Sequence, residues 1–168
     1  MLGMKMKSGD LSLPALIGPA IFLSLGLLAA QPSYAQSVSD CDWRAASINL
    51  VEPWDETSRT FANGDVRIAL LDTVEPAAAA YHLLILSPPY DEVGGRQCRV
   101  ISAEDTLGFM GVTFDQIEAE YDPEHGLVFR LPVARYNADT SEGDWLDLLF
   151  VVNQASGQVV ADVVEPAQ

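Results

Sequence analysis

Positive charge is scarce in this sequence. Its 168 residues contain nine Lys and Arg against 24 Asp and Glu, which gives a formal net charge of −15. Such a polyanion repels the phosphates of nucleic acids and the headgroups of anionic lipids. We therefore exclude nucleic acid as a partner and expect no stable membrane association of the mature chain. The composition, 49% hydrophobic and 20% charged, is globular and excludes wholesale disorder.

Charge of either sign is absent from residues 11–30, an apolar run rich in Leu, Ile and Ala. Lys5 and Lys7 precede this run, and the small residues Ser33 and Ala35 follow it at the spacing that signal peptidase accepts. We predict that residues 1–35 are a signal peptide and that cleavage follows Ala35. The mature protein would then reach the periplasm or be secreted.

An uncleaved membrane anchor is the alternative, because the apolar run is long enough to span a bilayer. Pro14 and Pro19 disfavour a spanning helix, and no cationic segment follows the run. Cleavage would remove Lys5, Lys7 and Asp10, so that the net charge becomes −16 and residues 36–168 hold no lysine. Schiff-base, phosphate-loop and Ser-Lys chemistry are thereby excluded.

Cysteine is limited to Cys41 and Cys98, and the sequence contains no Cys-x-x-Cys pair. A redox enzyme is therefore disfavoured. Because exported chains meet an oxidising compartment, we predict a disulfide between these two residues. Two free buried thiols are the alternative.

Long helical patterns are missing after residue 35. Short apolar runs alternate with turn residues instead, which is typical of an all-β domain. The expected strands cover residues 59–62, 66–73, 81–86, 97–102, 108–114, 117–121, 127–133, 145–153 and 158–164. The connections are too short for crossover helices, so the strands should be antiparallel. Residues 36–168 are predicted to form a single β-sandwich or small barrel of about eight to ten strands.

Particular residues set the expected strand boundaries. Asn63-Gly64 predicts a tight hairpin turn, and Pro88-Pro89 is expected to end the strand that starts at Tyr81. That strand is nearly continuously apolar, as expected for one covered on both faces, and Pro76 with the alanines at 77–80 allows a helical turn before it. Pro132 cannot donate to a ladder, which predicts an edge strand or a bulge. Thr113 and Gln116 could cap a short helix, but the alternation in residues 117–121 favours a strand.

Linear catalytic motifs are also lacking, since the sequence has neither Gly-x-Ser-x-Gly nor His-Glu-x-x-His. Of the two histidines, His82 lies in an apolar strand, where it should be a hydrogen-bonded structural residue. His125 lies in an acidic turn. Neither has ligand spacing for a transition metal, and we predict no metal and no cofactor. The abundant acids always permit some carboxylate pair, so that such a pair carries little information.

The loop of residues 87–96 is the predicted recognition surface. It places Tyr90 between rigid prolines and flexible glycines, beside Asp91 and Glu92, and Arg96 adds a planar donor for carboxylates. The alternative is an ordinary connection in which Pro and Gly serve turn geometry.

A second loop has the oxygen ligands that calcium prefers. These are Asn137, Asp139, Ser141 and Asp144. The EF-hand pattern fails, however, because its glycine and glutamate positions are Glu142 and Leu148. We interpret the segment as an acidic loop between two strands.

Two functions remain open from the sequence. The first is an exported, non-enzymatic module that binds a protein, a glycan or a small ligand, with an envelope protein or glycan as the expected partner. The second is a small secreted hydrolase that uses a carboxylate pair. The absence of motifs favours binding. Trp54 is either an exposed contact or a core residue, and burial is commoner for tryptophan.

Overall fold

The structure is a computed structural model that describes residues 36–166. The predicted signal peptide, residues 1–35, lies outside the described residues. The strands are β1 (Ser37–Asp40), β2 (Ser58–Phe61), β3 (Val66–Asp72), β4 (Tyr81–Tyr90), β5 (Arg96–Ser102), β6 (Gly111–Val112), β7 (Glu118–Asp122), β8 (Gly126–Asn137), β9 (Glu142–Val152) and β10 (Val159–Val164). The single α-helix of this part of the chain, α1, is Trp54–Thr57, and one-turn 3-10 helices cover Trp43–Ala45, Ser47–Asn49, Ala62–Gly64 and Phe114–Gln116.

The strands form two antiparallel sheets. The first has the order β1-β5-β4-β3-β2, and the second has the order β10-β9-β8-β6, with β7 also pairing with β8. Their inner faces share one hydrophobic core. The molecule is therefore a β-sandwich, which confirms the all-β prediction and decides between the sandwich and the barrel.

The core consists of alternate residues from both sheets. The ring of Phe129 stacks on Phe150 with centroids 4.7 Å apart, and meets the edge of Phe61 at 4.9 Å. Around these rings lie fully buried aliphatic side chains from β3, β4, β5, β8 and β9, including Ile68, Leu83, Ile101, Leu131 and Leu148. Burial of this apolar surface is the main favourable term in folding.

The first sheet is also covered on its outer face. Residues 41–50 pack there over a second apolar cluster, made of Ala69, Leu71, Leu84 and Val100. This confirms that β4 is covered on both faces. A disulfide joins Cys41 of the cover to Cys98 of β5, with Cα atoms 5.4 Å apart. The predicted bridge is thus present, and it fits an oxidising compartment.

Pro88-Pro89 does not end β4, contrary to prediction. The strand continues to Tyr90, and its pairing with β5 is interrupted between Ser87 and Tyr90 by a register shift. Such an irregularity accommodates two residues that cannot donate to a ladder.

The prediction that Pro132 marks an edge strand or a bulge was wrong. Its strand, β8, is interior and pairs with β9 in unbroken register. On the other side β8 has two partners, β6 at Val133–Ala134 and β7 at Gly126–Arg130. Pro132 falls in the gap between them, where its carbonyl accepts from the Thr113 amide and no amide is required of it.

The turns follow local sequence closely. Asn63 and Gly64 have positive φ angles of 56° and 97° between β2 and β3, as that dipeptide predicts. In residues 113–121 both alternatives occur in succession, a 3-10 turn at Phe114–Gln116 and then β7. Among residues 36–166 no helix is long and apolar enough to cross a membrane.

Candidate functional site

The outer face of the second sheet is open, unlike that of the first. Trp145, Val160 and Val164 are 54%, 53% and 39% exposed on it. The strand register arranges its side chains in rows about 7 Å apart. One row is Glu118, Arg130, Leu149 and Asp162; the next is Pro132, Asp147 and Val164; the third is Gly111, Ala134 and Trp145.

Trp145 is supported by small residues in its own row. A Cβ placed on Gly111 would lie 3.6 Å from the indole Cη2 and 3.9 Å from Cζ2, so the ring extends from β9 across β8 to β6. Ala134 lies between them in the register. A long side chain at Gly111 or Ala134 would displace the ring. Trp145 is nevertheless 54% exposed, so that about half of the residue's surface is open to a ligand.

Trp145 borders a groove of about 570 Å³, which we call the Trp145 groove. It lies where the 3-10 turn Phe114–Gln116 separates β6 from β7. Its lining residues are Asp115, Gln116, Ile117, Glu118, Arg130, Pro132, Trp145, Leu146, Asp147 and Pro166. Three carboxylates and one guanidinium give this lining a formal charge of −2.

Arg130 organises the charges of the groove. Its Nη2 donates to Oδ2 of Asp147, whose side chain is only 8% exposed, and this hydrogen bond raises the pKa of Arg130. Glu118 lies opposite Arg130 on β7 and raises that pKa further. Arg130 therefore stands between the carboxylates of Asp147 and Glu118. Asp115 and Glu118 are exposed, and no hydrogen bond or ion pair to either carboxylate is present within residues 36–166.

The predicted recognition loop joins β4 to β5. The hydroxyl of Tyr90 donates to Asp65 at 2.8 Å, and Arg96 donates to the carbonyl of Gly64 at 2.8 Å. Asp91 accepts from the amides of Val93 and Gly95. Glu92 is exposed. Tyr90 and Arg96 thus fix the loop against the β2–β3 turn, Asp91 shapes the loop itself, and recognition by this loop stays a prediction.

The acidic segment with Asn137, Asp139, Ser141 and Asp144 is the β8–β9 hairpin. Asn137 Oδ1 accepts from the amides of Asp139 and Thr140, and its Nδ2 donates to Asp144 at 2.9 Å. Ser141 has a positive φ of 59° in the turn. These contacts shape the hairpin. Within residues 36–166 no three His, Cys, Asp or Glu side chains are grouped so that they could hold a metal ion.

His82 belongs to a buried polar cluster under the cover of the first sheet. Its Nδ1 lies 2.8 Å from the Ser102 hydroxyl, which accepts from Nη1 of Arg44 at 2.7 Å. Arg44 is 2% exposed and also bonds Asp42 and Ser39. Burial and the neighbouring Arg44 lower the pKa of His82 to about 4. The predicted structural role of His82 is confirmed.

His82 and Ser102 are within hydrogen-bond distance, like the histidine and serine of a catalytic triad, but both side chains lie in the protein interior. Both residues are 0% exposed, so no substrate reaches the hydroxyl. His125 is an exposed residue beside Asp122 in the β7–β8 turn, where its hydrogen bonds lower the pKa of that carboxyl. A lowered pKa is the opposite of what a general acid needs.

The tryptophans were not identified as a site from the sequence. All three are at least half exposed: Trp43 and Trp54 are each 60% exposed, so the expectation that Trp54 is buried was wrong. The alternation of β9 does place Asp147 opposite the core-facing Leu146 and Leu148. It could not show which residues of β6, β7 and β8 lie beside it.

No family model matches this chain, and no curated protein or solved structure matches it either. Its function is therefore inferred from the geometry of the site.

Proposed function

We propose that this protein is an exported, non-enzymatic binding module whose ligand occupies the Trp145 groove. The observation that carries the proposal is the half-exposed side chain of Trp145, which borders the same groove as the ion pair between the half-exposed Arg130 and the buried carboxylate of Asp147. Recessed sites that combine an aromatic surface with a few placed polar groups are typical of ligand binding. The periplasm or the extracellular space is the proposed location, which the disulfide and the predicted signal peptide support.

Binding is favoured over hydrolysis by the position of Arg130. A glycosidase needs two carboxyl groups on opposite sides of the bond that is cleaved. In this groove the guanidinium of Arg130 lies between Asp147 and Glu118, and it donates a hydrogen bond to the carboxylate of Asp147. The remaining lining combines the contact surfaces of Trp145 and Pro132 with the exposed carboxylates of Asp115 and Glu118, which can pair with a ligand's donors.

The test compares capture by three forms of the processed protein, purified from the compartment to which it is exported. Wild type, Trp145→Ala and Trp43→Ala are immobilised and exposed to solubilised envelope, and retained protein and sugar are quantified. Trp43 is the matched control, because it is equally exposed but lies on the cover of the other sheet.

We expect one envelope component to be retained by wild type and by Trp43→Ala. The same component should be lost with Trp145→Ala. In a Trp43→Phe, Trp54→Phe variant, where Trp145 is the remaining tryptophan, the purified component should then protect the fluorescence from acrylamide quenching. Equal retention by all three forms would overturn the proposal.

A further inference from the structure

We infer that the occupant of the Trp145 groove is a cationic segment of another protein, with an Arg or Lys side chain stacked on Trp145. The inference rests on the proposed function, since it names the ligand chemistry of the same groove. Three observations carry it: the charge around the groove, the presentation of the indole, and the state of the nearby carboxylates.

The charge favours a cationic ligand at every scale. The whole chain carries −15, and the lining of the groove carries −2. Asp162 adds another carboxylate to the same sheet face, in the row of Arg130 and Glu118. A potential of one sign over a concave surface steers oppositely charged partners and repels anionic ones.

The side chain of Trp145 is accessible to a cation. A cation binds above the face of an aromatic ring, and tryptophan is the strongest acceptor. The ring reaches the small residue Gly111 on β6, and Trp145 remains 54% exposed, so that a cationic side chain can approach the indole from solvent. The alkyl stem of an Arg or Lys could then cover the apolar side chain of Pro132, which lines the same groove.

The carboxylates beside the indole still have free acceptor capacity. The carboxylate of Asp147 accepts from Arg130, whereas those of Asp115 and Glu118 are exposed and accept no hydrogen bond from residues 36–166; Arg59 donates only to the backbone carbonyl of Asp115. An arginine fork matches a carboxylate with two parallel hydrogen bonds. One cationic side chain can thus meet an aromatic face and an unoccupied carboxylate in a single groove.

The experiment uses three fluorescein-labelled peptides of equal length. The first alternates arginine with glycine, the second replaces arginine by citrulline, and the third replaces it by glutamate. Citrulline keeps the shape of arginine and lacks its charge. Fluorescence anisotropy with the processed protein is measured at low and at physiological salt.

We expect the arginine peptide to bind with an affinity that falls as the salt concentration increases. The citrulline and glutamate peptides should show no binding. Trp145→Ala should weaken binding about 3- to 30-fold, the range of a cation–π contact, while Trp145→Phe retains part of it and Trp43→Ala retains all of it. Asp115→Asn with Glu118→Gln should weaken binding and reduce its dependence on salt. Thermal unfolding of each variant verifies the fold.

If Trp145→Ala binds the arginine peptide as tightly as wild type does, the peptide binds only through the negative charge of the surface. That result would overturn the inference. Cellohexaose and maltohexaose serve as uncharged probes in the same assay. If they bind through Trp145 without dependence on salt, the ligand is a neutral glycan, so the cationic ligand fails and the proposed function stands. If neither the binding of these probes nor the capture of any envelope component depends on Trp145, both the cationic ligand and the proposed function are wrong.

Discussion

The imidazole Nδ1 of His82 lies 2.8 Å from the hydroxyl of Ser102, and both side chains are completely buried. The hydroxyl oxygen also accepts from Nη1 of Arg44, and burial together with this guanidinium lowers the pKa of His82 to about 4, so that the imidazole is neutral at pH 7. Protonation would place a second positive charge beside Arg44, and this arrangement has a consequence for stability in acid.

We predict that stability falls as the pH drops from 6.5 towards 4. The pKa of His82 is about 4 in the folded protein against 6.5 for the ordinary side chain. The unfolded chain therefore binds the proton first, and the loss approaches about 3 kcal/mol below pH 4. Urea unfolding at a series of pH values measures it.

His82→Asn is the matched variant for this pH dependence, because its amide oxygen can accept from Ser102 and does not titrate. Its stability should be flat between pH 6.5 and 4. Asp42, whose pKa is lowered chiefly by the side-chain hydrogen bond from Arg44, loses its own contribution only below about pH 4. A wild-type slope that persists in His82→Asn would contradict the assignment to His82.

Arg44 is predicted to be the most sensitive arginine for stability. Its guanidinium bonds Asp42, Ser39, Ser102 and the carbonyl of Asp105 while almost fully buried. Arg44→Ala leaves these groups unsatisfied and should cost about 3 kcal/mol or more.

Arg67→Ala is the control for Arg44, since Arg67 is exposed and bonds Ser58 at 3.2 Å on the surface. Its effect should stay within about 0.5 kcal/mol. Chemical denaturation of both variants makes the comparison, and similar losses would show that the buried cluster does not hold the cover.

The Cys41–Cys98 bridge should stabilise the folded protein by restricting the unfolded chain. For the 57-residue separation, the chain-entropy relation gives about 4 kcal/mol. Cys41→Ala combined with Cys98→Ala should lower the free energy of unfolding by a similar amount, and reduction of wild type should reproduce the loss. Denaturation curves with and without reductant measure both, and unchanged stability would refute a structural role.

Cleavage after Ala35 would change the number of primary amines in the protein. The cleaved chain holds no lysine, so that an amine-reactive reagent can attach at most once, at the new N-terminus. The unprocessed chain offers its N-terminus, Lys5 and Lys7. Intact mass analysis of the labelled, exported protein distinguishes the two, and three labels would disprove cleavage.

Local patterns predicted the strands well because each depends on neighbours in sequence. Short apolar runs bounded by turn residues located most of the strands, and Asn63-Gly64 located the turn between β2 and β3. The failures at Pro88-Pro89 and Pro132 share one cause. Whether a proline is tolerated depends on what lies on its amide side, and that is set by strand order rather than by the local sequence.

The Trp145 groove could not be predicted for the same reason. Trp145, Ala134 and Gly111 are neighbours only through the β9–β8–β6 register. Arg130 meets Asp147 across 17 residues of chain and Glu118 across another strand pair. By contrast, the loop of Tyr90 was conspicuous in sequence because its prolines and glycines are contiguous, and much of that signal reflects turn geometry.

The stability of the cover over the first sheet depends on whether Cys41 and Cys98 are oxidised. Residues 41–50 are fastened by one covalent link and by the Arg44 cluster, and beneath them lie Ala69, Leu71, Leu84 and Val100. A chain without the disulfide should hold this cover more weakly and expose the apolar side chains beneath it more often, which would make the unbridged form more prone to aggregation and proteolysis.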